Sequence, residues 1–239
     1  MLLITVLILL PVSVLAGILP RISVPGWTAP SSTDLKALAP TAITGVPISK
    51  PSGISIVSVS YSGKGCPSGS VSTSLSADKT VVTLGFDKFQ AYIGPGTSVA
   101  DHFKSCNLIL TLKYPPAYSF AVVSSTYHGY AQLDSSVTGK FYSTYFLSSL
   151  ASATFSTSTS VLGGGTWESG SVYTKSDTIS TPNLIFSPCG LLGIGSAALL
   201  NIGNTISLSS SNSSASGLMT NDDATVATTQ QVALKWFTC

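Results

Sequence analysis

The chain has 239 residues, a formal net charge of +2 and only 8% charged residues, against about 25% in an average globular domain. So weak a charge, carried on eleven Lys and Arg that stand singly, excludes partners held by electrostatics, with no nucleic acid and no stable membrane insertion expected. Ser and Thr take the place of the missing charges and alternate with Val, Ile, Leu, Tyr and Phe, which suits strands with one buried and one weakly polar face.

Leu2 to Leu10 is apolar apart from Thr5, Pro11 breaks the run, and Val14-Leu15-Ala16 offers a cleavage site. Residues 1–16 therefore read as a signal peptide cut after Ala16, although no Lys or Arg precedes the apolar run. The run is shorter than the ~20 residues that span a bilayer. The expected location is secreted, extracellular. Residues 17–52 are rich in Pro, Ala, Ser and Thr without sustained period, with Pro30 and Pro40 bracketing Leu35–Leu38. A flexible leader or propeptide is expected there.

A single β-sandwich domain is expected over 53–239. Its organising strand is Lys104 to Tyr114, stopped by Pro115-Pro116. Cys106, Leu108, Leu110 and Leu112 share one face, because side chains alternate along a strand. Further strands are predicted at 54–61, 70–75, 80–86, 89–93, 118–127, 137–147, 153–161, 171–175, 183–186, 199–208 and 230–237. Turn signals separate them, among them Ala77-Asp78-Lys79, Gly94-Pro95-Gly96 and Gly163-Gly164-Gly165. Only Thr97–His102 invites a helical turn. Many short strands at this spacing predict an all-β fold, an antiparallel β-sandwich, jelly-roll-like in one form. Leu184 to Leu200 is apolar, but Pro188, Gly190, Gly193 and Gly195 interrupt it, so a buried loop and strand is expected rather than a span. The ending Lys235 to Cys239 carries no hydrophobic tail for a lipid anchor.

Cys66, Cys106, Cys189 and Cys239 form an even set in an exported chain, without metal-ligand spacing. Four cysteines allow three connectivities. Cys66–Cys106 with Cys189–Cys239 is favoured because each bond ties neighbouring parts of the chain. Asn212-Ser213-Ser214 is the one glycosylation sequon.

Cys66-Pro67-Ser68-Gly69-Ser70, Phe86-Asp87-Lys88-Phe89, Gly94-Pro95-Gly96, Lys104-Ser105-Cys106, Tyr114-Pro115-Pro116, Tyr127-His128-Gly129-Tyr130, Ser187-Pro188-Cys189-Gly190 and the ending Trp236 to Cys239 stand in a fixed order. Together they resemble the secreted family, mainly fungal, catalogued as domain of unknown function 4360, from about Ile54 to Cys239. Ser105 and His128 depart from its pattern, which more often has Asn and Arg there. The resemblance implies a secreted, disulfide-bonded β protein and brings no reaction with it.

Catalytic chemistry is thinly supplied. His102 and His128 are the only histidines, and no Gly-x-Ser-x-Gly elbow is present. Of nine acids, Asp78, Asp134, Asp222 and Asp223 sit in turn signals, where Asp commonly bonds its own backbone. Asp87 and Asp101 remain as candidates for a carboxylate site, Asp87 within reach of Lys88 or Lys104. No metal and no cofactor is expected, calcium at Asn221-Asp222-Asp223 being the weaker reading. Tyrosines are plentiful, and their rings present a flat face and a hydroxyl to sugars or proteins. Tyr127, Tyr130, Tyr142 and Tyr145 are the binding candidates, since Phe141 to Phe146 puts aromatics on both faces of one strand. The function expected is a non-enzymatic extracellular binding or interaction module, its partner a cell-wall glycan or an extracellular protein at a cell wall or host surface. The alternatives are a secreted carbohydrate-active enzyme using Asp87 or Asp101, and a structural surface protein.

Overall fold

Strands form where β-branched or aromatic residues alternate with hydroxyl residues, and twelve do so among the described residues. The computed structural model describes residues 52–189, 196–220 and 229–239. The expected signal peptide, the leader up to 51 and the Asn221–Asp223 turn lie outside the described residues. The strands are β1 (Ser55–Ser62), β2 (Val71–Leu75), β3 (Val81–Phe86), β4 (Gln90–Ile93), β5 (Phe103–Tyr114), β6 (Tyr118–Leu133), β7 (Val137–Leu147), β8 (Thr154–Leu162), β9 (Ser171–Thr178), β10 (Ser196–Ser210), β11 (Gly217–Thr220) and β12 (Thr229–Thr238). They build an antiparallel sandwich: a five-stranded sheet ordered β1-β5-β10-β7-β8 against a seven-stranded sheet containing β2-β3-β12-β6-β11-β4, with β9 also paired to β6.

β5 lies between β1 and β10 in its sheet, and its inward face is the one the sequence marks. Cys106, Leu108, Leu110, Leu112 and Tyr114 are buried, and each leucine contributes about 2 kcal/mol of hydrophobic burial. From the opposite sheet, Phe120 and Trp236 meet Tyr114, with ring centroids 5.6 and 5.7 Å from the tyrosine. The polar tips are satisfied: Trp236 Nε1 donates to Lys79 O at 2.8 Å and Tyr114 Oη to Pro188 O at 2.7 Å. Two disulfides clamp this core, Cys66–Cys106 joining the loop after β1 to β5, and Cys189–Cys239 joining the segment before β10 to the end of β12.

A polar network also lies between the sheets. Gln230 of β12 accepts from Asn204 Nδ2 of β10 at 2.5 Å, and its own Nε2 donates to Tyr145 Oη of β7 at 2.8 Å. Ser143 Oγ donates to Asn204 Oδ1 at 2.5 Å, and Tyr127 Oη of β6 bonds Thr157 of β8. These six residues are all buried. Since an unpaired polar group in such a place costs about 1–3 kcal/mol, the network holds the two sheets in one register as well as packing them.

Three expectations are corrected. Residues 183–186 form no strand: Pro182, which has no N–H to give a ladder, sits in a tight turn at Thr181–Asn183, and only an isolated bridge, Ala121 to Phe186, follows. Thr97–His102 forms no helix, because Ser98 N and Oγ both donate to Asp101 Oδ2, closing a turn instead. Lys104 serves Asp101, not Asp87, donating to its Oδ1 at 3.1 Å.

Candidate functional site

The period that buries Cys106 and Leu108 pushes Asn107 and Ile109 to the outer face of the five-stranded sheet. Antiparallel register aligns them with the outward residues of the neighbouring strands. Asn107 stands opposite Gly203 of β10, and Gly203 opposite Thr144 of β7. On one side of this row lie Thr205 and Tyr142, on the other Ile109, Asn201 and Phe146. Together they line a groove of about 340 Å³.

Gly203 makes the floor. Its backbone is ordinary strand, so space rather than conformation calls for glycine; a Cβ there would come 3.2 Å from Asn107 Oδ1. Tyr142 is 37% exposed, and its hydroxyl is hydrogen-bonded to Ser156 Oγ of β8 at 2.7 Å. Hydrogen bonds from Ser156 and then Thr144, with the nearby Lys140 charge, lower the Tyr142 phenol from its ordinary value. Lys140 Nζ lies 6.0 Å from the ring centroid. Asn201 is held by its Nδ2, which donates to Ser148 Oγ at 2.8 Å, while its Oδ1 has no protein donor among the described residues. The outward residues of β5, β7, β8 and β10 include Lys113 and Lys140 but no Asp or Glu. Phe103, Ile109, Tyr142, Leu162 and Leu199 are all exposed on this one face. Such a surface offers a flat ring and neutral donors and acceptors, with the Asp177 carboxylate at its β8 edge, where it accepts from Ser158 N at 3.0 Å.

The tyrosine candidates divide. Tyr142 lines the groove. Tyr127 and Tyr145 are fully buried, which corrects the expectation that they present rings to a ligand: their strand positions turn them inward to the Gln230 network. Burial holds the Tyr145 phenol far above its ordinary range. Tyr130 is half-buried on the outer face of the other sheet, its hydroxyl 3.5 Å from Gln132 Oε1. The four do not form one surface.

Neither acid candidate meets the groove. Asp87 stands exposed in the turn between β3 and β4 and makes no ion pair among the described residues. Asp101 lies in the loop before β5, where the Ser98 hydroxyl, the Ser98 N–H and Lys104 hold its carboxyl down at about 2. His102 Nε2 is within 2.9 Å of Thr97 Oγ1, and His128 Nδ1 within 2.7 Å of Thr174 Oγ1; neither is paired with a carboxylate among the described residues. Among the described residues no cluster of three His, Cys, Asp or Glu stands ready for a metal ion. Asn212 is exposed in the turn after β10, its Oδ1 accepting from Ser214 N at 3.0 Å.

Sequence reasoning passed over Asn107, Asn201, Gly203 and Thr205. The signal available was Asn201-Ile202-Gly203-Asn204 inside an otherwise aliphatic strand, since a strand-interior glycine marks close approach of something to the backbone.

Fold and disulfides define a disulfide-bonded antiparallel β-sandwich protein. The chain belongs to the family described as domain of unknown function 4360, whose model matches residues 52–239. A relative from Arthroderma benhamiae, described as an uncharacterized secreted protein, is 37% identical over 192 residues, covering 79% of this chain and 73% of its own. No described helix is long and apolar enough to cross a membrane. Among solved structures, that of TmCBM61 in complex with β-1,4-galactotriose covers 77% of this chain and 90% of its own at 11% identity, with a TM-score of 0.23; a likeness of that degree carries no argument about a ligand.

Proposed function

We propose that this secreted protein is a non-enzymatic binding module whose groove over Gly203 takes a neutral glycan of a cell wall or host surface. One observation carries the reading: an exposed aromatic ring, Tyr142, beside a glycine-floored trough edged by Asn107, Asn201, Thr144 and Thr205, with no carboxylate among the residues that line it. Sugar rings offer an apolar face to an aromatic plate and hydroxyls to amides and alcohols, which is the chemistry of this trough. An extracellular protein as partner has less support, since the exposed apolar residues here alternate with Ser, Thr and Asn rather than forming a dry patch.

A carbohydrate-active enzyme on Asp87 or Asp101 draws no such support. Glycoside hydrolysis needs two carboxyls about 5–10 Å apart across the bond, and neither acid lines the groove. In the same reading Asn212 carries an N-linked glycan, so peptide N-glycosidase treatment lowers the mass of the secreted chain; an unchanged mass refutes that part.

The test is retention on insoluble β-1,3-glucan, cellulose, chitin and mannan, comparing the wild type with Tyr142→Ala. Wild type is retained by at least one polymer. The substitution weakens retention by at least about tenfold, equal to 1.4 kcal/mol, without altering the melting temperature by more than about 2 °C. Retention by none of them, or equal retention of both proteins, contradicts the reading.

A further inference from the structure

A second depression, of about 670 Å³, lies at the edge of β8, between Thr154 to Ser156 and the segment Thr178 to Ile185. No described residue lines both this cleft and the groove, but the two adjoin at Ser156. Ser156 lines this cleft, and its Oγ bonds Tyr142 Oη at 2.7 Å and approaches Thr144 Oγ1 at 3.3 Å, both from residues of the groove. Register places Asn107, Gly203, Thr144 and Ser156 in one row across β5, β10, β7 and β8. Three inter-strand steps make that row about 14 Å long, and the cleft lies beyond its end. At the other end the residues of β1 opposite Ile109 and Asn107 are small, Ser60 and Ser62.

We infer that groove and cleft are one binding path, crossing the strands at right angles and taking an internal stretch of an extended, uncharged glycan chain rather than a single sugar or a chain end. The inference rests on the glycan-binding reading above and adds length, direction and a second contact. One ring lies on Tyr142 over Gly203. The chain then passes the low Ser156 saddle, and a later sugar reaches Asn183, which is exposed and whose Nδ2 donates to Ser180 Oγ at 2.9 Å. That bond leaves the Asn183 carbonyl oxygen for a sugar hydroxyl. Small hydroxyl residues at the saddle let the chain cross, whereas a bulky one would divide the path.

The experiment is calorimetric titration of the secreted protein with the dimer through hexamer of laminari-, cello-, chito- and manno-oligosaccharides. Three variants accompany the wild type: Tyr142→Ala, Asn183→Ala and Ser156→Phe, each first shown to melt as the wild type does. Affinity is expected to rise by at least about tenfold from dimer to hexamer, equal to 1.4 kcal/mol. Asn183→Ala should bring the hexamer down towards the dimer while leaving the dimer unchanged; Ser156→Phe, which also removes the hydroxyl that Tyr142 bonds, should lower the hexamer more than the dimer; Tyr142→Ala should weaken both. Affinity independent of length, with only Tyr142→Ala weakened, overturns the continuous path and leaves the groove standing. Absence of binding by every oligosaccharide overturns both readings.

Discussion

Gln230 shows how much a single side chain can be asked to hold. It lies fully buried in β12 and meets Asn204, Ser125, Ser143 and Tyr145. Cutting it back to Ala takes the acceptor from Asn204 Nδ2 and the donor from Tyr145 Oη in a buried place, besides leaving a void. Gln230→Ala is therefore expected to lower unfolding free energy by about 3 kcal/mol, from unpaired polar groups costing about 1–3 kcal/mol each. Urea unfolding measures it, and a loss below about 1 kcal/mol would mean that the network is dispensable. Tyr142 is the opposite case: exposed, its hydroxyl bonded to the surface residue Ser156, and hence removable at little cost to folding.

At the scale of strands, legibility followed alternation. β7 was read to its ends, and β5 to within a few residues, because each carries an unbroken period of two. β11 went unseen, since Gly217-Leu218-Met219-Thr220 is too short to show a period and follows a Ser-rich turn. Tyr127 and Tyr145 could not be told from exposed rings because the face a strand position takes depends on its partners. The groove was illegible for a related reason: Asn107 and Gly203 are far apart in the chain and meet only through the pairing of β5 with β10. The same buried faces govern the response to pH. Burial raises the phenols of Tyr145 and Tyr173, so both stay neutral in the folded sandwich and ionise near 10 once it opens. The stability they contribute is intact below about pH 10 and drains away as pH climbs above it. Stepwise alkaline titration followed by phenolate absorbance should show at least two tyrosines ionising only together with loss of the near-ultraviolet dichroism. Ionisation of all nine before unfolding would contradict this.

For the molecule as a whole, the two bridges take the place that charge holds in other domains. Cys66–Cys106 and Cys189–Cys239 span 40 and 50 residues, and loops of that length are each worth about 4 kcal/mol in the chain-entropy account. Replacing either pair by Ser should reduce stability by about that amount in urea, whereas a change below about 1 kcal/mol would shift the burden to the sheets alone. A frame held in this way leaves one outer sheet face free to carry small hydroxyls, amides and a ring without risk to the core. The most direct test of that arrangement is the amide and side-chain nuclear magnetic resonance spectrum of the secreted protein, titrated with the oligosaccharide of whichever polymer retains it. Shifts confined to Asn107, Tyr142, Thr144, Asn201, Gly203, Thr205 and their neighbours are predicted; shifts centred on Tyr130 and His128, or on Asp87 and Asp101, would contradict the account.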